Sequence, residues 1–522
     1  MQTVLIGGNW RKAQAAGSFR AENPTTREPL PDEYPVSAWA ACEGALNAAA
    51  AAAVALRGIS GERLAEFLER YAARIEARSA ELVEMAHLET ALPKSPRLAD
   101  VELPRTTNQL RQAAAAARDG SWSMPTIDTK AGVRSYFAPL GPICVFGPNN
   151  FPFAFNSIAG GDFAAAIAAA NPVIAKANTS HPGTTRLLAE EAHAAAEETG
   201  MPPGTVQLLY RLSHADGERL VADRRVGATA YTGSRAAGLK LKAAADAAGK
   251  PIYLELSSIN PVVILPGALR ERAEKIAEEF TTSCLMGAGQ FCTNPGLVFL
   301  LAGPATESFV HTLISRFSSA PVGTLLSGGV ADSLAKSVDR LRAAGAEVLT
   351  GGKPGGGRGH SFANTLLRVS GQRFLENSEP LQTEAFGNAS LLVVADSPEQ
   401  LAQALDQLEG NLTGCIYSDT AGGDDALYDQ VAPRLRPKVG RLLNDKMPTG
   451  VAVSPAMNHG GPYPATGHPG FTAVGIPASP RRFAMLQCFD NVRPHRLPQI
   501  LQDKAPTGAW RFIDGKWTDR PV

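Results

Sequence analysis

Apolar residues recur along the chain with two different spacings, and each spacing predicts a type of secondary structure. After Ser60, a residue well suited to cap a helix N-terminus, they recur at intervals of three and four, as on the buried face of an amphipathic helix. The residues of this face are Leu64, Phe67, Leu68, Tyr71 and Ile75. We therefore expect the first hundred residues to be mostly helical.

Beyond residue 135 the chain changes to short apolar runs separated by helical stretches. The strand-like runs are GPICVFGP, NPVIAKAN, VQLLYR, VGATAYTGS and KPIYLELSS, and helices are expected at 157–170 and 182–198. This alternation predicts an α/β fold with a parallel, doubly wound sheet of the Rossmann type.

A second series of strands and helices, from about residue 255 to 450, predicts a second α/β domain. Its helices are expected near 268–285, 304–317 and 331–344, and its strands at 296–302, 346–349 and 390–395. Outside both series, residues 121–141 and 478–494 are predicted to be extended arms that could pair with another subunit. The tail after about residue 500 is polar, aromatic and rich in Pro and Gly, and we assign it no function.

Composition and charge narrow the class of protein. With 522 residues, 44% hydrophobic and 19% charged, the chain has the size of two or three globular domains. Fifty basic and fifty acidic residues leave no net charge to attract nucleic acid or a membrane, so a small molecule is the expected partner. The N-terminus lacks the order of a secretion signal and the Ala-rich stretches are too short to span a bilayer, which predicts a cytoplasmic protein.

Six cysteines are scattered along the chain: Cys42, Cys144, Cys284, Cys292, Cys415 and Cys488. They form no CxxC pair and lie near no histidine cluster, so we expect neither a disulfide framework nor a metal site. In GAGQFCTNPG the neighbours of Cys292 are mostly small and polar, which would let a substrate approach its thiol. A packed core thiol is the equal alternative for any single cysteine.

Two further motifs accompany Cys292, namely ELSSINP with Glu255 and GPNNFPF with Asn150 at the end of a predicted strand. Taken alone, Glu255 could be a solvated carboxylate and Asn150 a turn residue. In this order the three motifs resemble the aldehyde dehydrogenase superfamily, whose catalytic set they match. VIAKANTSHPG, YTGSRAAG and TEAFG match further family motifs, and the likeness extends from NWRKA to about residue 490.

The resemblance implies an aldehyde dehydrogenase fold and a homodimer or homotetramer. Its expected parts are a Rossmann-like cofactor domain (1–120 and 140–254), a second α/β catalytic domain (255–455), and an extended oligomerisation arm with a closing segment (121–139 and 470–500).

The same resemblance implies a reaction through a covalent thioester. The Cys292 thiolate adds to an aldehyde, and the side-chain amide of Asn150 and the backbone N–H of Cys292 stabilise the oxyanion. After hydride transfer to a nicotinamide cofactor, Glu255 activates the water that hydrolyses the thioester. A catalytically silent homologue is the alternative, and thiol reactivity separates the two, because a silent protein should lack a low-pKa cysteine.

Several residues match family positions that bind the cofactor. Gly233 and Ser234 lie at a turn into a helix whose N-terminus would face a pyrophosphate. Lys176 resembles the lysine that holds the adenosine ribose. Glu384 resembles the residue that binds the nicotinamide ribose, with Phe386 beside it.

The position of Thr179 favours NADP, with NAD possible. Many family members have a Glu there, and a carboxylate would repel a 2′-phosphate, whereas a hydroxyl can donate to it. Lys176 and Arg211 could add positive charge. A helix cap for Thr179 and a solvated loop charge for Arg211 are the alternative interpretations.

The sequences of these motifs resemble those of one branch of the superfamily. That branch contains the α-ketoglutarate semialdehyde (2,5-dioxopentanoate) dehydrogenases and the NADP-linked fatty aldehyde dehydrogenases. The expected pocket residues, Phe155, Ile158, Phe291 and the loop from Ser454 to His459, are mainly apolar. No dedicated carboxylate-binding arginine is identified, so a fatty aldehyde or succinate semialdehyde stays an alternative to 2,5-dioxopentanoate. Glu255 argues against transfer of the acyl group to coenzyme A.

Overall fold

The computed structural model describes residues 1–504 and 508–522 and is built around three main sheets. The strands are β1 Val4–Ile6, β2 Asn9–Arg11, β3 Ala15–Asn23, β4 Glu28–Ser37, β5 Thr126–Asp128, β6 Val133–Pro139, β7 Ile143–Phe146, β8 Val173–Lys176, β9 Val206–Leu209, β10 Ala228–Thr232, β11 Ile252–Glu255, β12 Val262–Ile264, β13 Leu297–Leu301, β14 Glu347–Thr350, β15 Thr365–Ser370, β16 Ala389–Ala395, β17 Asn411–Tyr417, β18 Val439–Asn444, β19 Ala484–Asp490, β20 Arg511–Ile513 and β21 Lys516–Thr518.

The helices surround these sheets. They are α1 Trp39–Leu56, α2 Gly61–Ala77, α3 Ser79–Thr90, α4 Leu103–Asp119, α5 Gly161–Ala168, α6 Pro182–Glu198, α7 His214–Val221, α8 Arg235–Ala247, α9 Pro266–Leu285, α10 Pro304–Ser319, α11 Gly328–Ala343, α12 Gly371–Glu376, α13 Ser378–Leu381, α14 Pro398–Asp406 and α15 Asp425–Leu435. A π-helical segment, Lys94–Glu102, leads into α4.

The first sheet has the strand order β11-β10-β7-β8-β9-β1-β2 and confirms the Rossmann-type prediction. Strands β7 to β11 run parallel, while β1 adds to β9 in the antiparallel direction. Helices cover both faces, so β7 and β9 are buried along their whole length, as expected for runs such as ICVF and VQLL. Ser60 caps α2 as predicted, because its side chain accepts a hydrogen bond from the N–H of Arg63 at 3.2 Å.

The second sheet has the order β14-β15-β16-β13-β12-β17-β18 and is parallel except at β14. Its elements lie within a few residues of the predicted helices and strands. Its two faces carry separate buried clusters, one around Phe299 and Phe374 and one around Phe280 and Phe317. This body is therefore a second α/β layer structure with its own core, as predicted.

The prediction that the first hundred residues are mostly helical holds from Trp39 onward but is wrong for the residues before it. Residues 4–37 form β1 to β4. Gly7 and Gly8, at φ 62° and 76°, make the two-residue turn that pairs Ile6 with Asn9. A Gly-Gly turn between short strands is typical of a hairpin. The helical periodicity begins only after Ser60 and does not describe these residues.

A third sheet, in the order β19-β6-β5-β20-β21, contains both predicted arms and part of the C-terminal tail. Strand β19 pairs antiparallel with β6 from Ala484 opposite Pro139 to Asp490 opposite Val133. Strand β20 pairs with β5, so the tail has a structural role that the sequence did not reveal. Strand β19 is an edge with Met485 and Leu486 exposed, and pairing of the arm with another subunit stays a prediction.

Helix α1 is long and apolar enough to cross a membrane by length and composition alone. In the fold, however, it packs on the first sheet with one face buried, including Cys42, Leu46 and Leu56. Core helices of globular domains commonly pass the same test.

Candidate active site

Three side chains from different parts of the chain meet in one site. Glu255 is the last residue of β11, Cys292 lies in the loop before β13, and His459 lies in the long loop after β18. Nε2 of His459 is 3.5 Å from Sγ of Cys292 and 2.9 Å from Oε1 of Glu255. Glu255 and His459 are both buried, so this contact is shielded from solvent.

Burial raises the pKa of the Cys292 thiol well above its ordinary value, and the charge of Glu255 raises it further. The positive charge of Arg105 acts in the opposite direction. In this arrangement the surroundings of the thiol favour its protonated form. A base must therefore take its proton, and the carboxylate of Glu255 lies within reach of the thiol.

Asn150 lies beside the nucleophile, as the motif order predicts. Its side-chain Nδ2 donates to the carbonyl of Gln290 at 3.0 Å, two residues before Cys292. An amide nitrogen carries two protons, so one remains for another acceptor. Among the described residues, no acceptor binds the backbone N–H of Cys292. The two donors needed for an oxyanion are thus available together.

A buried asparagine that sequence reasoning missed fixes the cysteine loop. The Nδ2 of Asn260 donates to the carbonyls of Cys292 and Asn294, each at 2.9 Å. Its Oδ1 accepts from the hydroxyls of Ser258 and Thr413. Asn260 has φ 47°, a left-handed conformation that Asn tolerates better than most residues, and the INP of ELSSINP was the available signal.

Aromatic rings line the approach to this set. Phe151 packs edge-to-face on Phe155 at 5.2 Å and on Phe291 at 5.4 Å, and Phe155 lies 5.5 Å from the His459 ring. Two of the expected pocket residues, Phe155 and Phe291, therefore come together here. Ile158 does not join them, because it is fully buried in the core of the first domain.

The loop that follows β18 carries the remaining expected pocket residues. The carbonyl of Ser454 accepts from the N–H of Met457 at 3.0 Å, and the loop then turns inward to His459, whose N–H donates to the hydroxyl of Thr472. His459 was expected only as a pocket residue. Its direct contact with Cys292 and Glu255 depends on loop geometry that periodicity does not encode.

A cavity of about 520 Å³ beside the catalytic set contains two of the predicted cofactor residues, Ser234 and Glu384. The N–H of Gly233 donates to the carbonyl of Glu255 at 3.1 Å, which joins the predicted cofactor turn to the catalytic strand. Burial raises the pKa of Glu384 to about 7, partly offset by a hydrogen bond from the N–H of Ser258. Phe386 is half-buried two residues further along.

Lys176 ends β8 and lies close to Arg211, which is exposed two residues past the end of β9. Burial lowers the pKa of Lys176 to about 8, and the charge of Arg211 lowers it further. Within the described residues neither side chain has an ion-pair partner. Thr179 is half-buried three residues after Lys176. Two cations and a hydroxyl at the carboxyl ends of parallel strands are suited to a phosphate.

Glu255, Cys292 and His459 also present potential metal ligands within 4.8 Å of one another. Carboxylate, thiolate and imidazole are ligands that Zn²⁺ accepts. Absence of a metal site thus stays a prediction, and a soft divalent ion could compete with substrate for these groups.

Comparison with known proteins gives matches over most of the chain. The model of the aldehyde dehydrogenase family matches residues 10–457. The chain is 39% identical to alpha-ketoglutaric semialdehyde dehydrogenase 2 of Azospirillum brasilense, covering 98% of each chain, and 34% identical to alpha-ketoglutaric semialdehyde dehydrogenase of Acinetobacter baylyi, covering 97% of each.

A solved structure shows the same fold. It is a variant of aldehyde dehydrogenase C (AldC) from Pseudomonas syringae in complex with NAD⁺ and octanal, with a TM-score of 0.78 and 19% identity over 95% of this chain and 98% of that one. Fold, catalytic geometry and sequence similarity agree: this chain belongs to the aldehyde dehydrogenase family.

Proposed function

We propose that this aldehyde dehydrogenase oxidises 2,5-dioxopentanoate to 2-oxoglutarate with NADP as the preferred cofactor. The observation that carries the catalytic part is the joint contact of Cys292, His459 and Glu255 beside Asn150. The substrate is supported by two relatives named for this semialdehyde, each similar over nearly the whole chain.

The first step is addition of the Cys292 sulfur to the aldehyde carbon. The thiol proton passes to the carboxylate of Glu255, whose Oε1 accepts a hydrogen bond from Nε2–H of His459, and it leaves for solvent before hydrolysis. The carbonyl π electrons move to oxygen, and the resulting oxyanion accepts from Nδ2 of Asn150 and the backbone N–H of Cys292. Because Glu255 and His459 are buried, this proton transfer takes place away from bulk water.

A nicotinamide cofactor, held beside Cys292 by Glu384 and Ser234, would supply the hydride acceptor that the oxidation needs. Hydrolysis of the Cys292 thioester then needs a water and a base. Oε2 of Glu255 is buried and has no hydrogen-bond partner in the described part of the chain, so one carboxylate oxygen remains available to take the proton of that water. This role argues against release of the acyl group to coenzyme A.

For the cofactor, Glu384 and Ser234 would lie along the nicotinamide-side cavity, and Gly233 would begin the turn into α8. Lys176, Thr179 and Arg211 would surround the adenosine ribose. Two cations and the lack of a carboxylate at position 179 favour a 2′-phosphate over a free hydroxyl. This is the basis for preferring NADP to NAD.

An aliphatic aldehyde is the second candidate substrate. The rings of Phe151, Phe155 and Phe291 form an apolar wall of the kind that binds hydrocarbon chains. We place the enzyme in the cytoplasm with reduced thiols, since the six cysteines are unpaired. A homodimer or homotetramer would use the exposed edge of β19.

The test is reduced-cofactor absorbance with NADP and NAD, each against 2,5-dioxopentanoate, succinate semialdehyde and a medium-chain aliphatic aldehyde. Turnover fastest with NADP and 2,5-dioxopentanoate, and abolished in Cys292→Ala, is the expected result. Faster turnover of the aliphatic aldehyde would retain the mechanism and reject the substrate. Reduction of cofactor by none of these aldehydes would contradict the proposed function.

A further inference from the structure

Arg105, in the first turn of α4, is a cation without a partner beside the catalytic set. Its Nε and Nη2 atoms are buried and have no hydrogen-bond partner, and the described residues offer it no ion pair. Burying a guanidinium without hydrogen-bond partners is costly, because the N–H groups lose their hydration and no acceptor replaces the water. Such a group is best explained by an anion that it binds.

The nearest acid on the same helical segment is already in use. Glu102 forms an ion pair with Arg97, and its Oε1 accepts from the N–H groups of Phe153 and Ala154 at 2.9 and 3.0 Å. Arg97 in turn donates to the carbonyl of Asn150 at 3.1 Å. These contacts fix the Asn150 loop and leave Arg105 outside the network.

Aromatic rings hold the guanidinium of Arg105 at the substrate approach. Its Cζ lies 5.1 Å from the ring centre of Phe155 and 5.8 Å from that of Phe151. Phe155 also contacts His459, the ring that touches the nucleophile. Cation–π contact of this kind stabilises the charge while its N–H groups stay available.

Another arginine near Cys292 is held in place by loop carbonyls. Arg441 in β18 donates through Nη2 to the carbonyls of Pro448 and Gly450, at 3.1 and 3.0 Å. It thereby positions the loop that leads to His459. Arg105 has no comparable contact.

We propose that Arg105 binds the carboxylate of the aldehyde substrate and selects short semialdehyde acids over uncharged aldehydes. The planar guanidinium suits a carboxylate, which it can bind through two N–H groups. The guanidinium of Arg105 and the ring of His459 lie 5.1 and 5.5 Å from the centre of the same ring, that of Phe155, so a substrate chain of a few carbons suits the span from Arg105 to the sulfur of Cys292. This inference rests on the proposed function and names the residue that recognises the acid.

The experiment compares kcat/KM for 2,5-dioxopentanoate and for pentanal, an uncharged aldehyde of the same chain length, in the full-length enzyme. Arg105→Leu removes the charge, and Arg105→Lys keeps it without the planar fork. Arg111→Leu is the matched control, because Arg111 lies on the same helix but pairs with exposed Glu76. Competitive inhibition by 2-oxoglutarate gives a second measure of carboxylate binding.

We expect Arg105→Leu to lower the ratio of the two kcat/KM values on the order of 100-fold, mainly through a higher KM for the acid. Inhibition by 2-oxoglutarate should weaken in parallel, and Arg105→Lys should lie between Arg105→Leu and the wild type. Arg111→Leu should keep the wild-type ratio. If Arg105→Leu does not fold, Arg105→Lys tests the proposal in its place. Loss of the planar guanidinium alone should measurably lower the ratio of kcat/KM for the acid to kcat/KM for pentanal.

Two outcomes would overturn the proposal, and they differ. If the wild type prefers 2,5-dioxopentanoate and the Arg105 variants keep that preference, the proposed function stands and Arg105 is not the anchor. If the wild type turns over pentanal but not the acid, the substrate assignment itself fails, and the role of Arg105 fails with it.

Discussion

His459 and Glu255 lie 204 residues apart in the sequence, yet Nε2 of one lies 2.9 Å from Oε1 of the other. Both side chains are about 1% exposed, so the pair does not compete with solvent for its hydrogen bond. The thiol of Cys292 shares the same nitrogen at 3.5 Å. His459 therefore holds the carboxylate of Glu255 in place beside the thiol.

Replacing His459 by Asn should therefore slow the attack of Cys292. His459 positions the carboxylate base, so we expect a fall in kcat on the order of 10²-fold, at the lower end of what a general base contributes. The measurement is steady-state turnover together with the pre-steady-state burst of reduced cofactor, which should slow or vanish.

His468→Asn is the matched control for this change. His468 is exposed later in the same loop, where it accepts from the N–H of Gly470 and lies beside Tyr253. Its replacement should leave the burst unchanged. Equal losses in both variants would show that loop folding, and not the hydrogen bond from His459 to Glu255, sets the rate.

The pH dependence of thiol alkylation should reveal the raised pKa of Cys292. Burial and Glu255 hold this thiol protonated at neutral pH, so iodoacetamide should react slowly there and faster as pH rises above the ordinary thiol range. Glu255→Gln removes the negative charge and should shift the midpoint to lower pH. Both are measured in a Cys488→Ser background, because Cys488 is the exposed thiol.

A midpoint below the ordinary thiol range in the wild type would contradict the electrostatic arrangement that we describe. The buried thiols of Cys42, Cys284 and Cys415 should not interfere, since burial raises each of their pKa values to about 12.

Asn150→Ala should remove one of the two donors for the oxyanion. Loss of one such donor costs about 2.7–4 kcal/mol of barrier, which is on the order of 10²- to 10³-fold in kcat. The KM for aldehyde should change much less, because the donor acts on charge that develops during attack. Asn108→Ala, on the exposed face of α4, is the control and should retain wild-type turnover.

Affinity for NADP should fall as pH rises through about 8. Lys176 has its pKa lowered to about 8, so its charged form predominates below that pH and is lost above it. A 2′-phosphate needs this charge more than a free hydroxyl does. KM for NADP should therefore rise between pH 7 and 9 more steeply than KM for NAD.

The change Thr179→Glu tests the same site independently of pH. A carboxylate there should repel the 2′-phosphate and accept from the ribose hydroxyl of NAD, which reverses the preference. Unchanged NADP use in this variant would place the 2′-phosphate elsewhere.

Sequence patterns predicted both α/β layers because each strand and helix there has a clear apolar period. They missed the strands before Trp39, because β1 and β2 have only three residues each and the longer β3 and β4 are mostly exposed and show no clear apolar period. They also missed β20, whose partner β5 lies almost four hundred residues away. Long-range pairing of short polar strands leaves no local signal.

The candidate site likewise contains residues that the sequence predicted and residues whose roles only the structure reveals. Asn150, Glu255 and Cys292 stand in motifs, and the structure brings all three together. The roles of His459, Asn260 and Arg105 depend on which loops meet, and the raised pKa of Cys292 depends on burial. Neither property is encoded in the spacing of residues along the chain.

The central claim is a covalent thioester on Cys292, and mass spectrometry of Glu255→Gln tests it most directly. The variant is incubated with 2,5-dioxopentanoate and oxidised cofactor at mildly alkaline pH, where Cys292 ionises without the carboxylate as base, and is then quenched in acid and digested. Because the water-activating carboxylate is absent, the account predicts that the peptide containing Cys292 gains the mass of the acyl group in nearly stoichiometric amount. A wild-type enzyme that turns over while neither it nor the variant ever carries an acyl group on Cys292 would contradict the account.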